Sequence, residues 1–133
     1  MAVLIAGGLA GGALAAFTSS TTPVSIGVGS GSLAAPTGLT AACVALSNHV
    51  TLNWTATTST IAQGYAVLRA TTSGGPYTPI GTTGSRTTTT FTDTIGALAT
   101  QYYVVHATLH NWTSPDSNQA GVTSLALGVC SQA

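Results

Sequence analysis

The chain has 133 residues, an apolar fraction of 44% and a charged fraction of only 3%, the four formal charges being Arg69, Arg86, Asp93 and Asp116, with no Lys or Glu. That length fits one domain with its own core, and two isolated arginines form no basic face for nucleic acid or anionic lipid. Thr and Ser make up more than a quarter of the residues, and so little charge leaves little repulsion between copies, so self-association or shielding by covalent glycans is expected.

Residues 1–17, MAVLIAGGLAGGALAAF, carry no polar side chain and give way abruptly to Thr18-Ser19-Ser20-Thr21-Thr22-Pro23. As a helix the run spans roughly 25 Å, the short limit for crossing a bilayer. Three readings of it stand. The first is an assembly helix like that of pilin-like filament subunits, presenting Val3, Leu4, Ile5, Leu9, Leu14 and Phe17, with Gly7, Gly8, Gly11 and Gly12 as overlapping small-xxx-small pairs that let helices approach closely. The second is a secretory leader with small residues at Ala13-Leu14-Ala15, although no basic residue precedes the run. The third is a membrane anchor. On the assembly reading, the partners are copies of the chain in a homopolymer, and any membrane contact precedes assembly.

Residues 18–34 form a Ser/Thr/Gly-rich stretch in which Val24, Ile26 and Val28 fall on one face of any strand they form. It reads as a linker or as an extra strand, and 24–33 donated to a neighbour's sheet offers a second route to a polymer. From residue 35 to 133 short alternating runs separated by turn residues predict an antiparallel sandwich. Seven strands are expected: Leu39–Val44, Val50–Trp54, Gly64–Ala70, Tyr77–Gly81, Thr88–Thr92, Gln101–Leu109 and Gln119–Val129. Alternation puts Val50, Leu52 and Trp54 on one face, with Trp54 as the largest core side chain. In the sixth strand Tyr103, Val105 and Ala107 face inward, while Tyr102 and His106 point out.

Several segments carry a family resemblance: Ala35-Pro36-Thr37-Gly38-Leu39, Val50-Thr51-Leu52-Asn53-Trp54, Gly64-Tyr65-Ala66-Val67-Leu68-Arg69, Ser73-Gly74-Gly75-Pro76-Tyr77, Phe91-Thr92-Asp93-Thr94, Tyr102-Tyr103-Val104-Val105-His106-Ala107 and Ser114-Pro115-Asp116-Ser117-Asn118. In this order they resemble a bacterial or archaeal fibronectin type III domain over about Ala35 to Leu125. The resemblance implies an all-β, seven-stranded Ig-like sandwich that serves as a spacer or binding scaffold, and leaves the ligand open. By this register the family's corner tyrosine falls on Gln101, so either Tyr102 takes over its hydrogen bond or the register shifts by one.

The two cysteines, Cys43 and Cys130, flank most of the sandwich and are expected to form a disulfide in an oxidising compartment. Closing a loop of nearly ninety residues is worth about 4 kcal/mol in the chain-entropy account. Asn53-Trp54-Thr55 and Asn111-Trp112-Thr113 match the N-glycosylation acceptor sequence. Asn53 should face solvent beside the inward Trp54, and Asn111 should sit in the loop between the last two strands. Trp112 is expected to pack under its own loop. His106 and His110 lie about 13 Å apart on an extended strand, too far to share a metal ion, and Asp93 and Asp116 fall in stretches typical of turns. With no nucleophile elbow and no phosphate-binding glycine loop, no catalytic residue, metal site or cofactor is expected. The sequence thus predicts an extracellular, non-enzymatic protein: a filament subunit, or a secreted binding or spacer module.

Overall fold

The computed structural model describes residues 31–126 and 129–133. Among them nine strands form two antiparallel sheets, and there is no α-helix. The predicted helix over 1–17, with its assembly residues, and the strand or linker over 18–30 lie outside the described residues.

The strands are β1 (Thr37–Cys43), β2 (His49–Thr55), β3 (Gly64–Ala70), β4 (Thr78–Thr83), β5 (Thr90–Thr94), β6 (Thr100–Leu109), β7 (Trp112–Thr113), β8 (Ala120–Ser124) and β9 (Cys130–Gln132). The smaller sheet has the order β1-β2-β5. The larger runs β9-β8-β6-β3-β4, with β7 paired to β6. One end of the sandwich carries the β1–β2, β3–β4, β5–β6 and β8–β9 turns. The other carries the β2–β3 and β4–β5 loops and the β6–β7 turn.

Each sheet turns its apolar alternate residues inward, as the period of two dictates. Val50, Leu52 and Trp54 of β2 face Tyr65 and Val67 of β3, Tyr103, Val105 and Ala107 of β6, and Val122 of β8 in one buried core. Trp54 meets the edge of Tyr65 at 5.3 Å between ring centroids, with the planes 74° apart, a favoured aromatic arrangement. The Tyr65 hydroxyl accepts from the Thr57 amide at 3.0 Å and donates to the Arg86 carbonyl at 2.8 Å. It thereby ties together two loops that the core alone would not order. Gly64 is required at the start of β3 because a Cβ there would lie 2.1 Å from the Thr83 carbonyl oxygen.

Three strand expectations need correction. The predicted Gln119–Val129 strand is a hairpin: β8 ends at Ser124, the Leu125 amide donates to the Val129 carbonyl, and the chain returns as β9. The loop after β6 contains the two-residue β7, which pairs Leu109 with Trp112 and Thr108 with Thr113. The fifth strand lies two residues later than predicted, at Thr90–Thr94, and so contains Asp93. Charge argues against a mid-strand aspartate, but here the carboxylate has partners that outweigh that preference.

Candidate functional site

Two of the four charged residues meet between the sheets. Arg69 near the end of β3 donates from Nη1 to Asp93 Oδ2 at 2.7 Å, and Tyr103 of β6 donates its hydroxyl to the same oxygen at 2.9 Å. Sheet geometry sets this up. The register places Arg69 opposite Tyr103 in the larger sheet, and Asp93 opposite Val50 in the smaller. Burial of the ring and the hydrogen bond to the carboxylate both push the Tyr103 phenol above its ordinary value, because each disfavours a second negative charge there. Tyr103, rather than Gln101 or Tyr102, is the residue near the start of this strand whose side chain hydrogen-bonds to the smaller sheet.

Beside this cluster the β3–β4 hairpin borders a cavity of about 310 Å³ walled by Arg69, Thr71, Pro76, Thr78, Ile80 and Gln101. Gln101 is 9% exposed, and its Oε1 is buried with no hydrogen-bond partner. Most buried side-chain oxygens are paired, which makes this one conspicuous. Neither Arg69 nor Gln101 was among the residues expected to form a site. The available signal was that Arg69 follows Tyr65 and Val67 at inward spacing on its strand, and that Gln101 stands where the family carries tyrosine.

Cys43, at the end of β1, is disulfide-bonded to Cys130, at the start of β9, with Cα atoms 6.0 Å apart. The bond joins the two sheets at the four-turn end. Leu46 and Val129 lie beside it, and at this end of the sandwich Val44, Leu46, Leu98, Leu125 and Val129 are all exposed. The Ile95 amide donates to Asn48 O, and Ser124 N to Ala99 O, which draws three of the turns together. Leu46 and Leu98 are 87% and 76% exposed, and both adopt φ of 59°. A side chain with a Cβ disfavours that left-handed region, where Gly or Asn is usual.

Asn53 and Asn111 are both exposed, the first on the outer face of β2 and the second in the turn between β6 and β7. Trp112 is 55% exposed and does not pack under its own loop, because the short β7 pairing holds it at the sheet margin. The three histidines stay apart: His49 contacts Thr94 Oγ1, His106 contacts Asp116 Oδ1 at 3.1 Å, and His110 contacts Gln63. Among the described residues no three His, Cys, Asp or Glu side chains converge in a way that would hold a metal ion. Trp54, Tyr103 and Val105 lie in the core as expected, and the expected cysteine pairing is present.

No family model and no curated protein matches the chain. Solved structures do. A Fn3-like protein from Clostridium thermocellum is 38% identical, with the match covering 68% of this chain and 92% of that one at a TM-score of 0.60. The fibronectin type III domain of human fibronectin type III domain containing protein 3 shares the fold at 17% identity, covering 74% of this chain and 92% of that one at a TM-score of 0.56. A β-1,2-glucanase from Parabacteroides distasonis contains the same fold at 23% identity and a TM-score of 0.59, over 71% of this chain but only 13% of its own. Identity of 38% across nearly the whole length of the clostridial protein, on the same two-sheet architecture, places this chain in the fibronectin type III-like family.

Proposed function

We propose that the chain is a non-enzymatic extracellular module that binds or spaces other components, with its sandwich as the rigid part. The observation that supports an extracellular setting is the Cys43–Cys130 bond across the two sheets, since such a bond persists in oxidising compartments and is rare in the cytosol. Scaffolds of this fold act through their surfaces, and the surface here offers hydroxyls, apolar turns and one polar cavity in place of charge. The test is thiol alkylation of freshly isolated native protein, followed by intact mass. Uptake of alkyl groups only after reduction, on protein recovered outside the cell, is expected. Two free thiols in a cytoplasmic fraction would overturn the assignment. The same spectra report whether Asn53 or Asn111 carries a glycan.

A second reading is self-association. The expected assembly helix over 1–17 falls outside the described residues, so the support offered for a homopolymer comes from the sandwich. It comes from the apolar surface around Leu46 and Leu98, where conformational strain and exposure coincide; sites that tolerate such strain are often functional. Sedimentation of the full chain should show reversible oligomers that Leu46→Ser with Leu98→Ser reduces. Oligomers untouched by that pair would remove the surface from the assembly.

A further inference from the structure

We infer that the fold keeps Asn111 open as the acceptor of an N-linked glycan and closes Asn53, although both stand in the same acceptor sequence; this rests on the extracellular reading and names a modification. In the transfer, Asn Nδ2 bonds to the anomeric carbon of a saccharide carried on a lipid diphosphate. The bond from that carbon to the diphosphate breaks, one amide proton is lost and the lipid diphosphate leaves. Donor and transferase come from outside the chain. The chain supplies the asparagine amide and, two residues on, a hydroxyl, and both have to enter the enzyme's cleft together.

Exposure separates the two sequences. Asn111, Trp112 and Thr113 are all exposed. Asn53 and Thr55 are exposed as well, but Trp54 between them is 6% exposed and packs on the edge of Tyr65. Side chains alternate across a strand, so lifting Asn53–Thr55 into a cleft draws Trp54 out of the core.

Backbone pairing separates them again. β2 is the middle strand of its sheet, with Asn53 opposite Thr40 of β1 and Thr90 of β5, and the Trp54 amide donates to the Thr89 carbonyl at 3.1 Å. Both sides of that segment are taken. β7 has two residues and, among the described residues, pairs with β6 alone. Asn111 precedes it in a turn that starts at His110, whose φ is 53°.

The openings needed at the two sites therefore differ in kind. Releasing β7 ends the pairing of Leu109 with Trp112 and of Thr108 with Thr113, a fraying event at the low end of local stability. Releasing β2 strips Val50, Leu52 and Trp54 from the core. That is close to global unfolding, a state held by about one molecule in 10³ to 10⁶.

The experiment treats the oxidised full chain with a purified single-subunit oligosaccharyltransferase and its lipid-linked donor. Peptides of residues 48–60 and 106–118 are the unfolded references, and glycopeptide mapping gives the rate at each asparagine in the folded chain relative to its peptide. The ratio at Asn111 should exceed that at Asn53 by about a thousandfold. Thr113→Val should abolish transfer to Asn111, and Thr55→Val should leave it unchanged. Mapping locates the sugar without either variant, so a misfolded variant does not stop the test. A gap between the ratios of less than about a hundredfold overturns the proposal, and so does a folded chain that takes no sugar at Asn111. Either failure leaves the thiol measurement, and with it the extracellular reading, untouched.

Discussion

Tyr103 and Asp93 are hydrogen-bonded across the sandwich, the hydroxyl of one sheet's strand donating to the carboxylate of the other's at 2.9 Å. With Arg69 on the same oxygen, this bond adds a directional link between the sheets to the Cys43–Cys130 disulfide and the side-chain hydrogen bonds of Asn118 and Gln132 to β1. Tyr103→Phe should lower unfolding free energy by ~2 kcal/mol, the usual worth of a hydrogen bond to a charged group. Urea denaturation measures it; a change below a few tenths would mean the bond adds nothing net.

The same pair predicts alkaline instability. Because burial first and the Asp93 hydrogen bond second raise the Tyr103 phenol in the fold, the folded state holds that proton above the pH at which the unfolded chain releases it. The resulting stability is complete below about pH 10, the unfolded tyrosine value, and is lost as pH climbs beyond it. Wild-type unfolding free energy should fall over that range more steeply than that of Tyr103→Phe. Parallel slopes would refute the linkage.

Removing the disulfide should cost about 4–5 kcal/mol for its sequence separation of 87 residues, by the loop-entropy relation. Cys43→Ala with Cys130→Ala, compared with wild type by guanidinium unfolding, gives the value. A loss under 1 kcal/mol would show that the unfolded chain is already compact.

Gly64→Ala should destabilise by about 2 kcal/mol, as overpacked positions do, because the new methyl would sit 2.1 Å from a backbone oxygen that cannot move aside. Gly84→Ala, where a Cβ meets nothing within 4 Å, is the control. Equal midpoints for the two variants would show that β3 and β4 can separate at that end without penalty.

Leu46→Asn and Leu98→Asn should each stabilise the monomer by up to ~1 kcal/mol, since Asn enters the left-handed region more readily than Leu. Thermal melts at concentrations low enough to prevent association read the gain. Destabilisation by both would mean that these side chains are sheltered in solution.

Much of the core was legible because apolar alternation has a fixed period. Val50, Leu52, Trp54, Tyr103 and Val105 could be assigned to the interior from spacing alone, and Asn53 to the outside by the same rule. The fifth strand slipped by two residues because threonines from Thr87 to Thr90 give no face a preference, and register is weakly specified in such a run. Asp93 looked like a turn residue because its two partners lie 24 and 10 positions away, and local composition carries no trace of either. Gln119–Val129 read as one strand since Leu125 and Val129 extend the alternation. What reverses the chain there is pairing between β8 and β9, a tertiary event. The cavity was invisible for the same reason: its walls come from a hairpin and from Gln101, which meet only after β3 and β6 pair.

The returning β9 has a consequence for how copies of this sandwich can add to one another. On that flank the Asn118 side chain bonds both the amide and the carbonyl of Leu39, and the Gln132 side chain bonds the Ala41 carbonyl, so β1 is occupied as though by a neighbouring strand. The outermost strand there is three residues long. Across the molecule, β4 is interrupted by Pro79, which lacks an amide hydrogen, leaving β5 as the border with the fewest obstacles. A ribbon grown by lateral pairing needs two receptive borders on every unit, and a unit with one can only be terminated. Lateral addition through the described strands alone would therefore stop at pairs.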